Sequence, residues 1–165
     1  MPGQALISPS QVLRRITNVG RLLGARDSSF LFGQRLWPGS YGASSQVLEQ
    51  ADHLLHALER ISDYRALLSP LLTPMAYLDE RYLHLYWRDS CGAGELLPFL
   101  QETSMTAVVA LARRQQGEHL PWRFQFAHRE PAWVEQYWVH LGDDLSFSRP
   151  STVMSLPREY LLRPW

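Results

Sequence analysis

Tyrosine, histidine and arginine, rather than paired carboxylates or a nucleophile beside a base, are the residue types whose spacing could do chemistry in this chain. In the run YLHLYWR, residues 82–88, Tyr82, His84, Tyr86 and Arg88 share one parity while Leu83, Leu85 and Trp87 share the other. A strand sends alternate side chains to opposite faces, so the second set reads as core. The polar-tipped set then forms either a solvated sheet face or the floor of a binding cavity. A second such run, WRFQFAH, puts Trp122, Phe124, Phe126 and His128 on one side and Arg123, Gln125 and Ala127 on the other. His128 is the most interesting titratable residue, either a strand-end histidine bonded to a turn or a contact to an acidic or hydroxylated ligand. Arg88 and Arg123 could supply charge to an anionic ligand. In GQRLWPGSYG, residues 33–42, Trp37 and Tyr41 stand beside permissive glycines, where they anchor a loop or line a pocket.

The motifs of known enzyme chemistry are missing: no G-x-S-x-G elbow, phosphate-binding loop, G-x-G-x-x-G, H-E-x-x-H or paired-cysteine motif occurs. The carboxylates read as scattered over helix exteriors and turns, so no catalytic residue is assigned and the chain is read as a non-enzyme. His53 and His56 have a spacing that can share a metal, but no third ligand is fixed beside them by a motif, so no metal or other cofactor is expected. Cys91, the single cysteine, sits in a loop-like DSCGAG run without a base beside it.

Sixteen arginines balance sixteen acidic residues, and lysine is absent. A chain of zero formal charge lacks the net footprint of a free-standing nucleic-acid binder, and only Arg14-Arg15 and Arg113-Arg114 are adjacent basic pairs. There is no signal-peptide pattern and no apolar run long enough to span a bilayer, so a cytoplasmic, soluble protein without membrane contact is expected.

The elements that must hold these residues follow from periodicity. Gln11–Leu23 carries an apolar stripe ended by Gly24, and 30–32 is a short apolar segment. Residues 45–68 read as one long amphipathic helix, and 74–89 as a hairpin turning at Asp79-Glu80-Arg81. Glu95–Gln116 reads as a second long helix with Pro98 in its first turn and Gly117 as its stop. From Trp122 the order is strand, helix (Pro131 to Leu141, stopped by Gly142), strand (145–147), strand (153–156). Trp133, Tyr137 and Trp138 spread beyond one narrow stripe, which suits an oligomer contact. The expected fold class is α+β: a single domain with a mostly antiparallel sheet packed against several helices.

An aromatic strand ending in His128, a proline-led helix carrying Tyr137, then HLGDDLSF and a closing LPREYLLRP resemble the N-terminal effector-binding (arabinose-binding-type) domain of AraC-family transcription regulators. Upstream, GQRLWPGSYG and a helix ending YRALLSPLL fit the same pattern. The resemblance covers roughly residues 28 to 164 and leaves 1–27 as an N-terminal arm and helix outside the 28–165 effector-binding and dimerisation domain. It implies a regulatory domain that senses a small-molecule effector and pairs as a homodimer. It also implies that DNA is reached only through a helix-turn-helix domain beyond this chain. Read from the residues, the effector would lie among Trp37, Tyr41, Tyr82, His84, Tyr86, Arg88, Arg123 and His128. Two readings from other classes stay open: a small enzyme with an aromatic pocket, and a protein-interaction module without a ligand.

Overall fold

A computed structural model describes residues 28–36, 47–64 and 71–165. The helix expected over 11–23, Trp37, Tyr41 and the end of the helix expected over 45–68 lie outside the described residues. Among the described residues, four helices of eight residues or more, α1 (Ser28–Leu36), α2 (Leu54–Asp63), α3 (Leu97–Gln116) and α4 (Val134–Leu141), accompany five strands. These are β1 (Leu72–Leu78), β2 (Tyr82–Asp89), β3 (Arg123–Gln125), β4 (Leu145–Ser146) and β5 (Val153–Pro157). They form one sheet in the order β1-β2-β5-β3-β4. Every pairing is antiparallel except β3 with β4, which is parallel. The α+β class and the mostly antiparallel sheet are thus as the sequence implies.

Alternation decides which face of the sheet is wet. Leu83, Leu85 and Trp87 are buried, whereas Tyr82, His84 and Tyr86 are half-buried and Arg88 is exposed. Leu83 pairs with Leu156, Leu85 with Met154 and Phe124 with Met154, giving an apolar sheet face that joins residues of all four helices in one core. Phe124, Met154 and Leu156 are buried to within 1% exposure, and each such side chain contributes about 1.5–3 kcal/mol by leaving water. The opposite face of the sheet carries the polar set.

Two elements differ from the sequence reading. The helix expected across 45–68 is interrupted: residues 47–49 are helical, but His53 is extended and caps a new helix, its Nδ1 accepting from the His56 amide at 3.1 Å. The break is held from outside, because the Trp165 amide donates to the Asp52 carbonyl (2.9 Å) and the Leu55 amide to the Leu161 carbonyl (3.1 Å). Periodicity could not report such tertiary capture of backbone groups. The second difference is α1, where the sequence suggested a short apolar segment followed by a loop from Gly33. Gly33 is instead inside the helix, pressed onto α3 between the Thr103 carbonyl and the Thr106 side chain. The expected helix ends agree: α3 has Pro98 in its first turn and ends at Gly117 in the left-handed conformation, and α4 ends at Gly142. The strand expected to run to His128 stops at Gln125, leaving His128 in a bend, and the helix expected from Pro131 begins at Val134.

Candidate functional site

The hairpin tip builds the first part of the site. Asp79 Oδ1 accepts from the amides of Arg81 (2.8 Å) and Tyr82 (2.6 Å), which closes the turn. Its other oxygen, Oδ2, lies 2.6 Å from His84 Nε2, and His84 Nδ1 lies 2.6 Å from Ser155 Oγ. The bond to His84, joined by the two turn amides, lowers the Asp79 carboxyl to about 2. Asp79 is therefore ionised and accepts only, so His84 Nε2 carries a proton and donates to it. His84 Nδ1 and the Ser155 hydroxyl share the second hydrogen bond.

Register extends this pair into a row across four strands. Tyr77 of β1 is opposite His84 of β2, His84 is opposite Ser155 of β5, and Ser155 is opposite Arg123 of β3. The Tyr77 ring stacks on His84 at 4.6 Å between centroids. At the other end, the Arg123 guanidinium donates from Nη1 to the Tyr82 hydroxyl (3.1 Å) and lies over the Tyr82 ring at 5.3 Å. Its Nε lies 3.3 Å from Asp144 Oδ2. A cleft of about 100 Å³ opens here, lined by Tyr82, His84, Arg123, Phe124, Gln125, Asp144, Ser146 and Ser155.

Of the residues singled out from the sequence, Tyr82, His84 and Arg123 come together in this cleft. Tyr86 shares their face but packs edge-on against Tyr77 (6.4 Å) rather than lining the cleft. Arg88 is exposed at the end of β2, opposite Thr73. His128 is not part of this group. Reading the sequence for charged partners missed Asp79, Asp144 and Ser155; the turn at Asp79 was the signal for the first, and the other two are placed by register alone.

His128 belongs to a second cluster, inside the helical layer. Glu102 of α3, whose side chain is only 13% exposed, accepts from Ser29 Oγ of α1 (2.8 Å) and from the Tyr137 hydroxyl of α4. His128 Nε2 stands 3.6 Å from the same carboxylate, an ion-pair contact without a hydrogen bond. Phe126 and Phe147 stack beside them at 5.2 Å, and Phe30 meets Tyr137 edge-on at 5.0 Å. The expectation that carboxylates sit on helix exteriors fails at Glu102, because its hydroxyl partners come from two other helices. Glu102 pushes the His128 imidazole above its ordinary value against the opposing effect of burial. Burial, reinforced by Glu102, pushes the Tyr137 phenol far up, so it stays a donor. Aromatic rings from Phe30, Phe126 and Phe147 pack around this cluster, which ties α1, α3 and α4 together.

The remaining candidates have local roles. His53 is a helix cap, and His56 accepts from Arg60 Nε at 3.0 Å. Among the described residues no three metal-ligating side chains converge. Burial raises the Cys91 thiol above its ordinary value, helped by Asp89, which keeps it protonated and unreactive. No helix among the described residues is long and apolar enough to cross a membrane.

Titration checks the hairpin tip. Because the Asp79 carboxyl is lowered, its bonds hold the turn at every pH above the ordinary aspartate range and are lost as pH falls toward about 2. Carboxyl NMR is expected to find its midpoint there, and His84→Ala is expected to return it toward the ordinary range. A midpoint unmoved by His84→Ala would mean that the turn amides alone hold it.

The family model described as the arabinose-binding domain of AraC transcription regulators, N-term, matches residues 2–165. That match includes residues 2–27, which the motifs in the sequence had left outside the resemblance. No curated protein matches the chain. Among solved structures, the crystal structure of the transcriptional regulator CdpR from Pseudomonas aeruginosa is similar, with a TM-score of 0.62 at 16% identity. The similarity spans 98% of this chain and 58% of that one, so this chain accounts for little more than half the length of CdpR.

Proposed function

Since the chain belongs to the family of N-terminal arabinose-binding domains of AraC transcription regulators, a ligand-sensing regulatory domain, we propose that its effector is a small polar molecule bound in the cleft beside Arg123. The observation that carries this reading is the fixed guanidinium. Tyr82 and Asp144 hold Arg123 in place from two sides, so it meets a ligand without first being ordered, which lowers the entropic cost of binding. Tyr82, His84 and Ser155 supply further polar atoms at the same opening, the mixture expected of a small-molecule site. Tyr86 and Arg88 flank it on the same face as secondary contacts. Trp37, Tyr41 and His128 are not assigned to the cleft.

Asp79, His84 and Ser155 recognise rather than react in this reading. Ser155 lies mid-strand in β5, between β2 and β3, so its backbone is committed to ladder pairing. A serine nucleophile needs a sharp turn and free amides that hold the developing oxyanion, and a flat central strand offers neither. The role is therefore regulatory and non-enzymatic. Two copies pair in this reading, supported by Trp138 (51% exposed) and Val139 (71%) on the outside of α4. DNA is reached through a helix-turn-helix domain of the kind AraC-type regulators carry, and the setting is the cytoplasm.

A thermal-shift screen of amino acids, sugars, fatty acids and aromatic acids tests the site. A ligand at about 100 times its Kd adds about 2.7 kcal/mol by mass action, which for a chain of this size raises Tm by roughly 5–10 °C. Arg123→Ala is expected to abolish the rise while the ligand-free Tm stays within about 1 °C, because its side chain is 53% exposed and surface changes of this kind cost little. A rise that survives Arg123→Ala would put the effector elsewhere.

A further inference from the structure

The geometry points to a small zwitterion, a free α-amino acid, as the molecule recognised at the Arg123 cleft; this rests on the site proposed above and names its ligand class. The argument is one of chemical complement. Arg123 has N–H groups left over after its bonds to Asp144 and Tyr82, and a carboxylate is the partner that a planar guanidinium takes best. Acceptors stand beside it. The Asp144 carboxylate accepts only, and the Ser155 hydroxyl oxygen offers a lone pair at the same opening.

A ligand that satisfies both halves brings an anionic group to Arg123 and a multiple donor to Asp144 and Ser155 a few ångströms away. An α-ammonium beside a carboxylate does this. A simple carboxylate leaves Asp144 facing a second negative charge, and a simple amine leaves the ammonium beside Arg123. The cleft, with Arg123 and Asp144 side by side, has no net formal charge to favour either ion over a dipolar one. Its volume of about 100 Å³ suits a head group, with the ligand side chain directed out of the opening.

The test uses the chain as it is and a matched ligand series: the proteinogenic amino acids, then for the strongest of them the deaminated acid, the decarboxylated amine and the α-hydroxy acid. Thermal shift and titration calorimetry are expected to show binding of the amino acid, with each truncated analogue weaker by about tenfold or more. Arg123→Gln and Asp144→Asn, both at exposed side chains, are each expected to weaken it by about tenfold without altering the ligand-free melting curve. Equal binding of the hydroxy acid or the deaminated acid overturns the zwitterion assignment, as does the failure of every amino acid to bind. If a sugar or another ligand binds and Arg123→Gln abolishes it, the site stands and the class falls. If amino-acid binding survives both substitutions, the location falls as well.

Discussion

Gly33→Ala is expected to destabilise the chain by about 2 kcal/mol, although alanine is the better helix former by about 1 kcal/mol. A Cβ at Gly33 would stand 2.6 Å from the Thr103 carbonyl oxygen and 2.6 Å from the Thr106 Cβ. Neither neighbour is the movable end of a flexible side chain. One is α3 backbone, and the other is the stiff root of a β-branched residue whose hydroxyl is already bound to the Glu102 carbonyl at 2.7 Å. The helices must separate, and separation pulls Ser29 away from Glu102. Thermal unfolding should show a Tm lowered by roughly 4–8 °C, and limited proteolysis should cut first within α1. An unchanged Tm would mean that α1 does not dock on α3 in solution.

The larger effect is expected at Glu102. Glu102→Ala removes the acceptor for the Tyr137 hydroxyl and for Ser29 Oγ, and the anion beside His128. Leaving such partners uncompensated in a largely buried place costs about 3 kcal/mol or more, or roughly 6–12 °C in Tm. Glu102→Gln separates shape from charge and carries a pH signature. His128 Nδ1 lies 3.0 Å from the Arg129 carbonyl, which only accepts, so Nδ1 holds a proton. Neutral His128 therefore turns a bare Nε2 lone pair toward the Glu102 carboxylate, and protonation converts that repulsion into an ion pair. The folded-state value is raised, so this contribution is complete below the unfolded histidine value of about 6.5 and is lost as pH rises through the folded one. Wild-type stability should fall across that window, while Glu102→Gln should be less stable below it and flatter through it. Parallel profiles for the two proteins would show that His128 and Glu102 are not coupled.

Local rules made much of this molecule legible. The parity of 82–88 separates Leu83, Leu85 and Trp87 from Tyr82, His84 and Tyr86 because a strand has no other way to place them. Gly117 and Gly142 end their helices because the chain needs a conformation there that glycine reaches at low cost. What escaped the sequence depends on partners far along the chain. Glu102 looks like any wet helix residue until Ser29 and Tyr137, 73 and 35 positions away, turn toward it. The helix over 45–68 breaks because residues 161 and 165 take its backbone groups. Asp144 and Ser155 gain meaning only when the register sets them beside Arg123.

The placement of β5 has a consequence for how the chain reaches this state. It is the last strand in sequence yet occupies the centre of the sheet, between β2 and β3. Its partners on β2 lie some 70 residues earlier, as with His84 and Ser155. Closing loops of that length delays assembly, since the entropy is lost before any contact offsets it. Until Val153–Pro157 inserts, the β1–β2 hairpin and β3 are two fragments with open edges, and the Tyr77–His84–Ser155–Arg123 row does not exist. The proposed cleft therefore forms only once β5 is in place, and a chain stalled before that step would lack it.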